Sequence, residues 1–291
     1  EKVLLMGRNE AGKTSMQSII FSQMKPKETE FLMYTNKITV SSINFLGTEF
    51  TLADCGGQQT HLDEYLSKYP EDVFSNVAML IYVFDIEYLE DKDYQQSYID
   101  ILSRLLDFSP GAKIFVLIHK IDKIKASDLP PKRRLCTQIV QRLTVQNSIE
   151  KIFFTSIWDD TLYNAWSQIV QSMIPVLREI SQSITEFGQT NHCDEIVLVE
   201  KDTFLIVSNF ERVPTREDVS YGRYERIAGI FKMLKINCRE EELERISVKN
   251  KGFQAVLQKY TENTYILIIQ RNQRVNINSV LYNLEVLRSK F

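Results

Sequence analysis

The stretch Gly7-Arg8-Asn9-Glu10-Ala11-Gly12-Lys13-Thr14 narrows the possible folds of this chain more than any other. It follows the apolar run Val3-Leu4-Leu5-Met6 and precedes a helical pattern carrying Met16, Ile19, Ile20 and Met24. The order is strand, G-x-x-x-x-G-K-T loop, helix. It gathers backbone N–H groups and the positive end of a helix dipole into one small volume that suits a phosphate chain. Lys13 is expected to reach the terminal phosphates, and Thr14 to offer its hydroxyl to a magnesium ion. Arg8, Asn9, Glu10, Ala11, Gly12 and Ser15 complete the expected cradle for a nucleoside triphosphate. The alternative, an ordinary glycine-containing turn, leaves the agreement of strand, loop, Gly-Lys-Thr and helix unexplained.

A chain of 291 residues, 44% of them apolar, has material for about two domains with separate cores. Its 35 basic and 38 acidic residues leave a net charge of −3 spread along the chain, which argues against a nucleic-acid partner. Cys55, Cys136, Cys193 and Cys238 are far apart, without C-x-x-C spacing, so neither zinc nor a disulfide framework is expected and a reducing, cytoplasmic compartment fits. The longest apolar run, Val77 to Phe84, is too short to cross a bilayer, so no direct membrane insertion is expected. The first buried strand begins almost at residue 1 and without a methionine, which reads as the loss of an N-terminal extension.

Past the phosphate loop, residues 25–37 lack a clean period and read as a loop that orders around a ligand. Within it Thr35 is a candidate to give its hydroxyl to magnesium and its N–H to the terminal phosphate. Two alternating runs, Ile38 to Phe45 and Phe50 to Leu52, read as a hairpin feeding Asp54-Cys55-Gly56-Gly57-Gln58 at a strand end, where ligand residues of an α/β sheet collect. Asp54 can hold magnesium through water, Gly57 can give a phosphate its N–H, and Gln58 can orient an attacking water. Residues 61–76 read as a mobile loop and helix.

Ala78 to Asp85 and Lys113 to Ile118 read as strands buried on both faces, with a helix between them carrying Tyr94, Ile99, Leu102, Leu105 and Leu106. At the end of the second stands His119-Lys120-Ile121-Asp122. A carboxylate there can accept two hydrogen bonds from the N–H edge of guanine, an edge adenine lacks, so Asp122 is the candidate base reader and Lys120 lies along the ring. Pro130-Pro131 opens a helix through Val145, Lys151 to Thr155 is the last strand, and Ser156 and Ile157 present backbone beside the base. Asp159 or Asp160 caps a helix with Leu162, Trp166, Ile169, Val170 and Met173 on one face, ended by Pro175.

Beyond that the pattern changes. A connector helix with Ile180, Ile184 and Phe187 gives way to a loop at Gly188–Asn191. Then come strands at 195–200 and 203–209, a helix carrying Tyr224, Ile227, Ile230, Phe231 and Leu234, strands at 243–248, 253–260 and 264–270, and a closing helix with Val280, Leu281, Leu284 and Leu287. No phosphate loop or acid–base cluster recurs, which suggests a binding or dimerisation module.

The phosphate loop, Thr35, Asp54-Cys55-Gly56-Gly57-Gln58, the His119-Lys120-Ile121-Asp122 box and Thr155-Ser156-Ile157-Trp158 together resemble the Rag/Gtr family of small GTPases over essentially the whole chain. Most Ras-like proteins carry Asn where this chain has His119. The Cys-Gly-Gly-Gln loop and the Ile-Trp pair look like the RagA/RagB branch, the Gtr-one type of yeast, whereas Thr35-Asn36-Lys37-Ile38 is closer to RagC/RagD. The resemblance implies an α/β fold: a Ras-like P-loop G domain with a mostly parallel six-stranded sheet over residues 1–180, then an α+β roadblock/longin-like dimerisation domain over 181–291. It implies Mg2+ with GTP or GDP as ligand, and a switch that hydrolyses GTP slowly. Asn9 and Glu10, where small residues are usual, place side chains in the way of an activating partner. It further implies a heterodimer with a RagC/RagD-like subunit, a GTPase-activating protein, docking to a roadblock-containing scaffold at the lysosome or vacuole, and signalling of amino acid supply to the target-of-rapamycin complex. A subunit that binds GTP or GDP only for structural support is the competing expectation.

Overall fold

The computed structural model describes residues 1–33, 35, 38–144, 149–174, 177–212, 244–249, 251–271 and 275–288. They fall into two compact units, Glu1–Asn44 with Thr48–Ala165, and Phe45–Gly47 with Trp166–Phe291. Among the described residues no helix is long and apolar enough to cross a membrane.

The first unit is built on strands β1 (Lys2–Met6), β2 (Thr39–Phe45), β3 (Thr48–Asp54), β4 (Val77–Asp85), β5 (Lys113–His119) and β6 (Ile149–Thr155). Their order in the sheet is β2-β3-β1-β4-β5-β6, and β1 pairs parallel with both β3 and β4. The pairs β4–β5 and β5–β6 are also parallel. Parallel strands need crossovers and are covered on both faces, which is why β4 can be an unbroken apolar run. From Met79 to Asp85 every residue of it is buried. The β2–β3 connection is the two-residue turn Leu46-Gly47, both with positive φ, the primed geometry whose twist matches a hairpin.

Helices α1 (Lys13–Phe21), α2 (Gln59–Ser67), α3 (Pro70–Phe74), α4 (Lys92–Phe108), α5 (Leu129–Leu143) and α6 (Thr161–Gln171) alternate with these strands. Helix α4 starts at Asp91, whose carboxylate accepts from the N–H groups of Asp93 and Tyr94, satisfying two of the orphan donors of the first turn. Its inner stripe is Tyr94, Tyr98, Ile101, Leu102 and Leu105. Ile99 and Leu106, expected on that stripe, lie on the outer face. Tyr98 packs on Tyr82 and Phe84 with ring centroids 4.6 and 5.1 Å apart, and Tyr94 on Phe84 at 5.7 Å, so aromatic contact seats α4 on β4. The segment expected as a loop from residue 25 contains a 3-10 helix, Pro26–Phe31. Its first turn is closed by the Glu28 carboxylate, which accepts from Lys25 N at 2.9 Å. Residues 61–76 lie almost wholly in α2 and α3. Of the two capping candidates, Asp160 directly precedes α6, its carbonyl accepting from Asn164 N at 3.1 Å, while the Asp159 carboxylate accepts from Thr161 N at 3.0 Å.

The second unit holds helix α7 (Leu177–Thr190), strands β7 (Glu195–Glu200), β8 (Ile206–Glu211), β9 (Arg245–Lys249), β10 (Gln254–Thr261) and β11 (Thr264–Gln270), and helix α8 (Ile277–Arg288). The sheet runs β8-β7-β11-β10-β9 with every pair antiparallel. Val197, Val199, Phe204, Ile206, Leu257, Tyr265 and Leu267 form one apolar cluster. Two sequence expectations need correction. Helix α7 continues through Gly188 to Thr190, because a glycine there lets the helix close on β8: a Cβ would stand 2.3 Å from the Phe210 ring. Strand β8 begins at Ile206, not 203, because the Glu200 carboxylate accepts from the N–H groups of Asp202 and Thr203 and holds them in a turn. The helix expected at Tyr224–Leu234 lies outside the described residues.

Candidate functional site

Glycine 12 explains the shape of the phosphate end. Its φ is 97°, in the left-handed region, and a Cβ would stand 2.6 Å from the His119 ring, so the loop can close onto β5 only without a side chain. The loop then turns Lys13 back over itself. Lys13 Nζ donates to Gly7 O at 2.8 Å and Arg8 O at 3.0 Å. Burial lowers its pKa, a push that the neighbouring Asp54 charge opposes. Ala11 is buried, and its N–H donates to Arg8 O. Asn9 N donates to Gly57 O at 2.8 Å, joining the loop to the end of β3.

Three oxygens meet beside Lys13. Thr14 Oγ1 donates to Asp54 Oδ2 at 2.6 Å and pairs with Thr35 Oγ1 at 2.8 Å, and Thr35 Oγ1 stands 3.5 Å from the same carboxylate oxygen. Burial raises the Asp54 pKa; the Thr14 hydrogen bond and the Lys13 charge work against that. The other oxygen, Asp54 Oδ1, is buried with no hydrogen-bond partner among the described residues. Two hydroxyls and a carboxylate, one oxygen unsatisfied, suit a hard cation that takes oxygen ligands and keeps water, so the residues present fit magnesium. Among the described residues no cluster of three or more His, Cys, Asp and Glu offers a rival site.

At the other end, Asp122 Oδ1 accepts from Ser156 Oγ at 2.5 Å, and Ser156 Oγ accepts from Trp158 N at 3.1 Å. Ser156 N donates to Thr161 Oγ1 at 2.9 Å, tying the loop to the start of α6. His119 is buried, its Nδ1 2.9 Å from Thr155 Oγ1. Burial first, and the Lys120 charge second, push its pKa down to about 4, so the ring is neutral near pH 7. Lys120 has φ 64° and its Nζ lies 2.8 Å from Asp85 Oδ2. The hydroxyl of Tyr94 accepts from Asp85 N at 3.0 Å, while the Arg8 guanidinium lies 5.8 Å from the Tyr94 ring centroid.

One cavity of about 460 Å³ joins the two ends. Of the residues singled out in the sequence, Asn9, Glu10, Gly12, Lys13, Thr14 and Ser15 line it from the phosphate loop. Thr35 and Gly57 line it from the side, and His119, Lys120, Asp122 and Ile157 from the base end. Asp54 and Ser156 stand behind it, reaching it through Thr14 and Asp122. Arg8 turns its side chain away onto Tyr94, and Gln58 stands at the start of α2 outside the lining. Thr29, Leu32, Met33, Lys123 and Trp158 line the cavity without having been singled out as site residues. For Trp158 the signal was adjacency to Ser156-Ile157. For Thr29, Leu32 and Met33 it was membership of the segment that holds Thr35.

A mostly parallel sheet with the cavity at its strand ends, a glycine loop closing on a helix, and a hydroxyl–carboxylate set beside a buried lysine define a P-loop GTPase domain, a GTP-binding switch. The family model for the Gtr1/RagA G protein conserved region matches residues 2–231. Among relatives, Ras-related GTP-binding protein A of Dictyostelium discoideum is 37% identical, over 100% of this chain and 96% of its own length. Ras-related GTP-binding protein B of Rattus norvegicus is 33% identical, over 100% of this chain and 85% of its own. GTP-binding protein gtr1 of Schizosaccharomyces pombe is 34% identical, over 99% and 94%. The chain belongs to the Rag/Gtr family of small GTPases, on its RagA/RagB/Gtr1-like side, and family membership implies Mg2+ with GTP or GDP at this site.

Proposed function

We propose that the chain is a Rag-type switch whose GTP state is sensed through Thr14, Thr35 and Asp54, and whose hydrolysis is slow without an outside activator. The observation that carries this is the meeting of the Thr14, Thr35 and Asp54 oxygens beside Lys13. Thr14 and Thr35 would hold magnesium directly and Asp54 through water; bound there, the ion neutralises charge on the phosphate oxygens. Lys13 and the backbone N–H groups of residues 8–14 bind the phosphates, with Gly57 adding one more. Asp122 accepts from the guanine N–H edge while Ser156 holds its carboxylate, and Ile157 presents backbone beside the base. Gln58 orients the attacking water once α2 carries it to the cavity. Among the described residues no arginine lines the cavity, so this reading assigns the charge stabilisation beyond that of Lys13 and the ion to a GTPase-activating partner.

Around this switch the reading adds the family's setting. The chain pairs with a RagC/RagD-like subunit through residues 181–291, docks to a roadblock-containing scaffold, and is recruited from the cytoplasm to the lysosomal or vacuolar surface. There it reports amino acid sufficiency to the target-of-rapamycin complex. Permanent pairing suits a module without ligand residues better than loops that move with nucleotide. Light scattering on residues 181–291 and on the full chain, each co-expressed with a C-type partner and the latter in GDP and in GTP, should give a dimer in every sample. Monomers throughout would end this part.

A second reading, a nucleotide-stabilised structural subunit without turnover, is favoured by one observation, the position of Gln58 outside the lining. Titration with guanine and adenine nucleotides, then single-turnover hydrolysis with activator for wild type and Gln58→Leu, separates the two. The switch reading expects guanine selectivity and activated turnover that Gln58→Leu loses. Tight binding with no activated turnover in either protein favours the structural subunit.

A further inference from the structure

We infer that Tyr65 is a positioning residue for Thr35: its phenol, carried on α2, donates to the Thr35 carbonyl once the oxygens of Thr14, Thr35 and Asp54 have closed on magnesium. This rests on the guanine-nucleotide reading of the cavity and adds to it a residue that stands outside the lining. Tyr65 is 6% exposed, and its ring belongs to the apolar cluster of the first unit that holds Leu62 and Phe74. The hydroxyl at the end of that fixed ring is buried with no hydrogen-bond partner among the described residues. Burial pushes its pKa up to about 12, a push that the facing Gly56 backbone opposes, so near pH 7 the oxygen keeps a proton to donate. A donor held dry without an acceptor costs free energy in this state, and a state that supplies the acceptor recovers it.

Gly56 shows where that acceptor is. A Cβ built on it would stand 2.6 Å from Thr35 O and 3.4 Å from the Tyr65 hydroxyl oxygen, so carbonyl and phenol border one gap that a side chain at 56 would fill. The Thr35 side chain is already drawn to this corner: its hydroxyl pairs with Thr14 Oγ1 at 2.8 Å and lies 3.5 Å from Asp54 Oδ2. A cation taking both hydroxyls pins Thr35 there, and a small turn of its peptide gives the carbonyl to Tyr65. Since Gln58 is the residue that opens α2, the same bond fixes the helix on which the candidate water-orienting group depends. Tyr65 thus ties the seat of Thr35 to the position of α2, and does so only when metal and triphosphate hold Thr35 in place.

The test uses the full-length chain with Tyr65→Phe and Gly56→Ala, titrated with radiolabelled GDP and with a radiolabelled non-hydrolysable GTP analogue, each in magnesium and in a chelator. Melting of the nucleotide-free proteins is followed alongside. Tyr65→Phe removes only the hydroxyl, so without nucleotide it should melt no lower than wild type. In magnesium its affinity for the GTP analogue should fall about threefold to tenfold, the span of one hydrogen bond, with GDP affinity unchanged. In chelator it should match wild type for both nucleotides. Gly56→Ala, whose methyl presses on Thr35 O, should show the same loss confined to the GTP analogue in magnesium. For Tyr65→Phe, an equal loss for GDP, a loss as large in chelator, or no loss at all makes Tyr65 a core residue only and overturns the assignment while the nucleotide reading stands. A nucleotide-free Tyr65→Phe that melts below wild type overturns it as well, since the hydroxyl would then already be partnered. Wild type that binds neither labelled nucleotide removes the guanine reading and the assignment with it.

Discussion

Thr14 Oγ1 and Asp54 Oδ2, 40 residues apart in sequence, are joined by a 2.6 Å hydrogen bond that closes the start of α1 onto the end of β3. A hydroxyl donating to a buried carboxylate can exchange that proton contact for a shared cation when phosphate arrives. Thr14→Asn replaces it with a bulkier amide that cannot serve both purposes. The variant should lose GTP affinity more than GDP affinity, by about tenfold or more, since the metal is held hardest in the triphosphate state. Titration of both nucleotides decides it, and equal losses for GTP and GDP would refute the role given to Thr14.

Asp122 is held by Ser156, so an Asn at 122 keeps the shape of the side chain while turning one acceptor into a donor. Facing the N–H edge of guanine, that donor leaves polar groups unmatched, a cost of about 1–3 kcal/mol. Asp122→Asn should bind GTP at least several-fold more weakly and discriminate less against ATP. Selectivity equal to wild type would mean that another group reads the base.

Buried His119, its pKa pushed down to about 4 from an ordinary 6.5, makes stability depend on acid. Between those values the unfolded chain binds a proton that the folded one refuses. The contribution of the neutral ring is therefore complete above pH 6.5 and is lost as pH falls toward 4, by about 1.4 kcal/mol per pH unit at the steepest. His119→Asn removes the titrating group, so its urea midpoint should fall less than that of wild type over this window. Parallel curves for the two proteins would show that His119 is not the group responsible.

Gly188 makes a separate claim on the second unit. A methyl at this position would meet the Phe210 ring at 2.3 Å, and ring carbons held in a packed core cannot swing clear as the tip of a flexible chain does. Gly188→Ala should cost about 1–3 kcal/mol despite its better helix propensity. Thermal unfolding of the second unit reads it directly. A neutral or stabilising result would mean that α7 shifts on β8 without penalty.

How far the sequence reaches depends on whether a feature is local. The strand, loop and helix around residues 7–14, the positions of Asp54 at the end of β3 and Asp122 just past β5, and the apolar β4 were legible because each is written within a few consecutive residues. Gly188 was misread as a loop because its reason is Phe210, 22 positions on, which no helical period reveals. Ile99 and Leu106 misled for a related cause: apolar residues at helical spacing do not say which of two overlapping stripes faces inward, and the Tyr82 and Phe84 rings that settle it lie on another element. Trp158 was legible as a family signature, but its place at the cavity mouth emerges only when Ser156 is seen to bond Asp122 on one side and Trp158 N on the other.

Tyr94 lies midway in a short relay. Its ring carries Arg8 of the phosphate loop, and its hydroxyl takes the N–H of Asp85, whose carboxylate grips Lys120 beside Asp122. One tyrosine on one helix thus braces the two opposite banks of the cavity. A substitution that unseats α4 is therefore expected to disturb Arg8 and Lys120 together, from positions that do not themselves line the cavity.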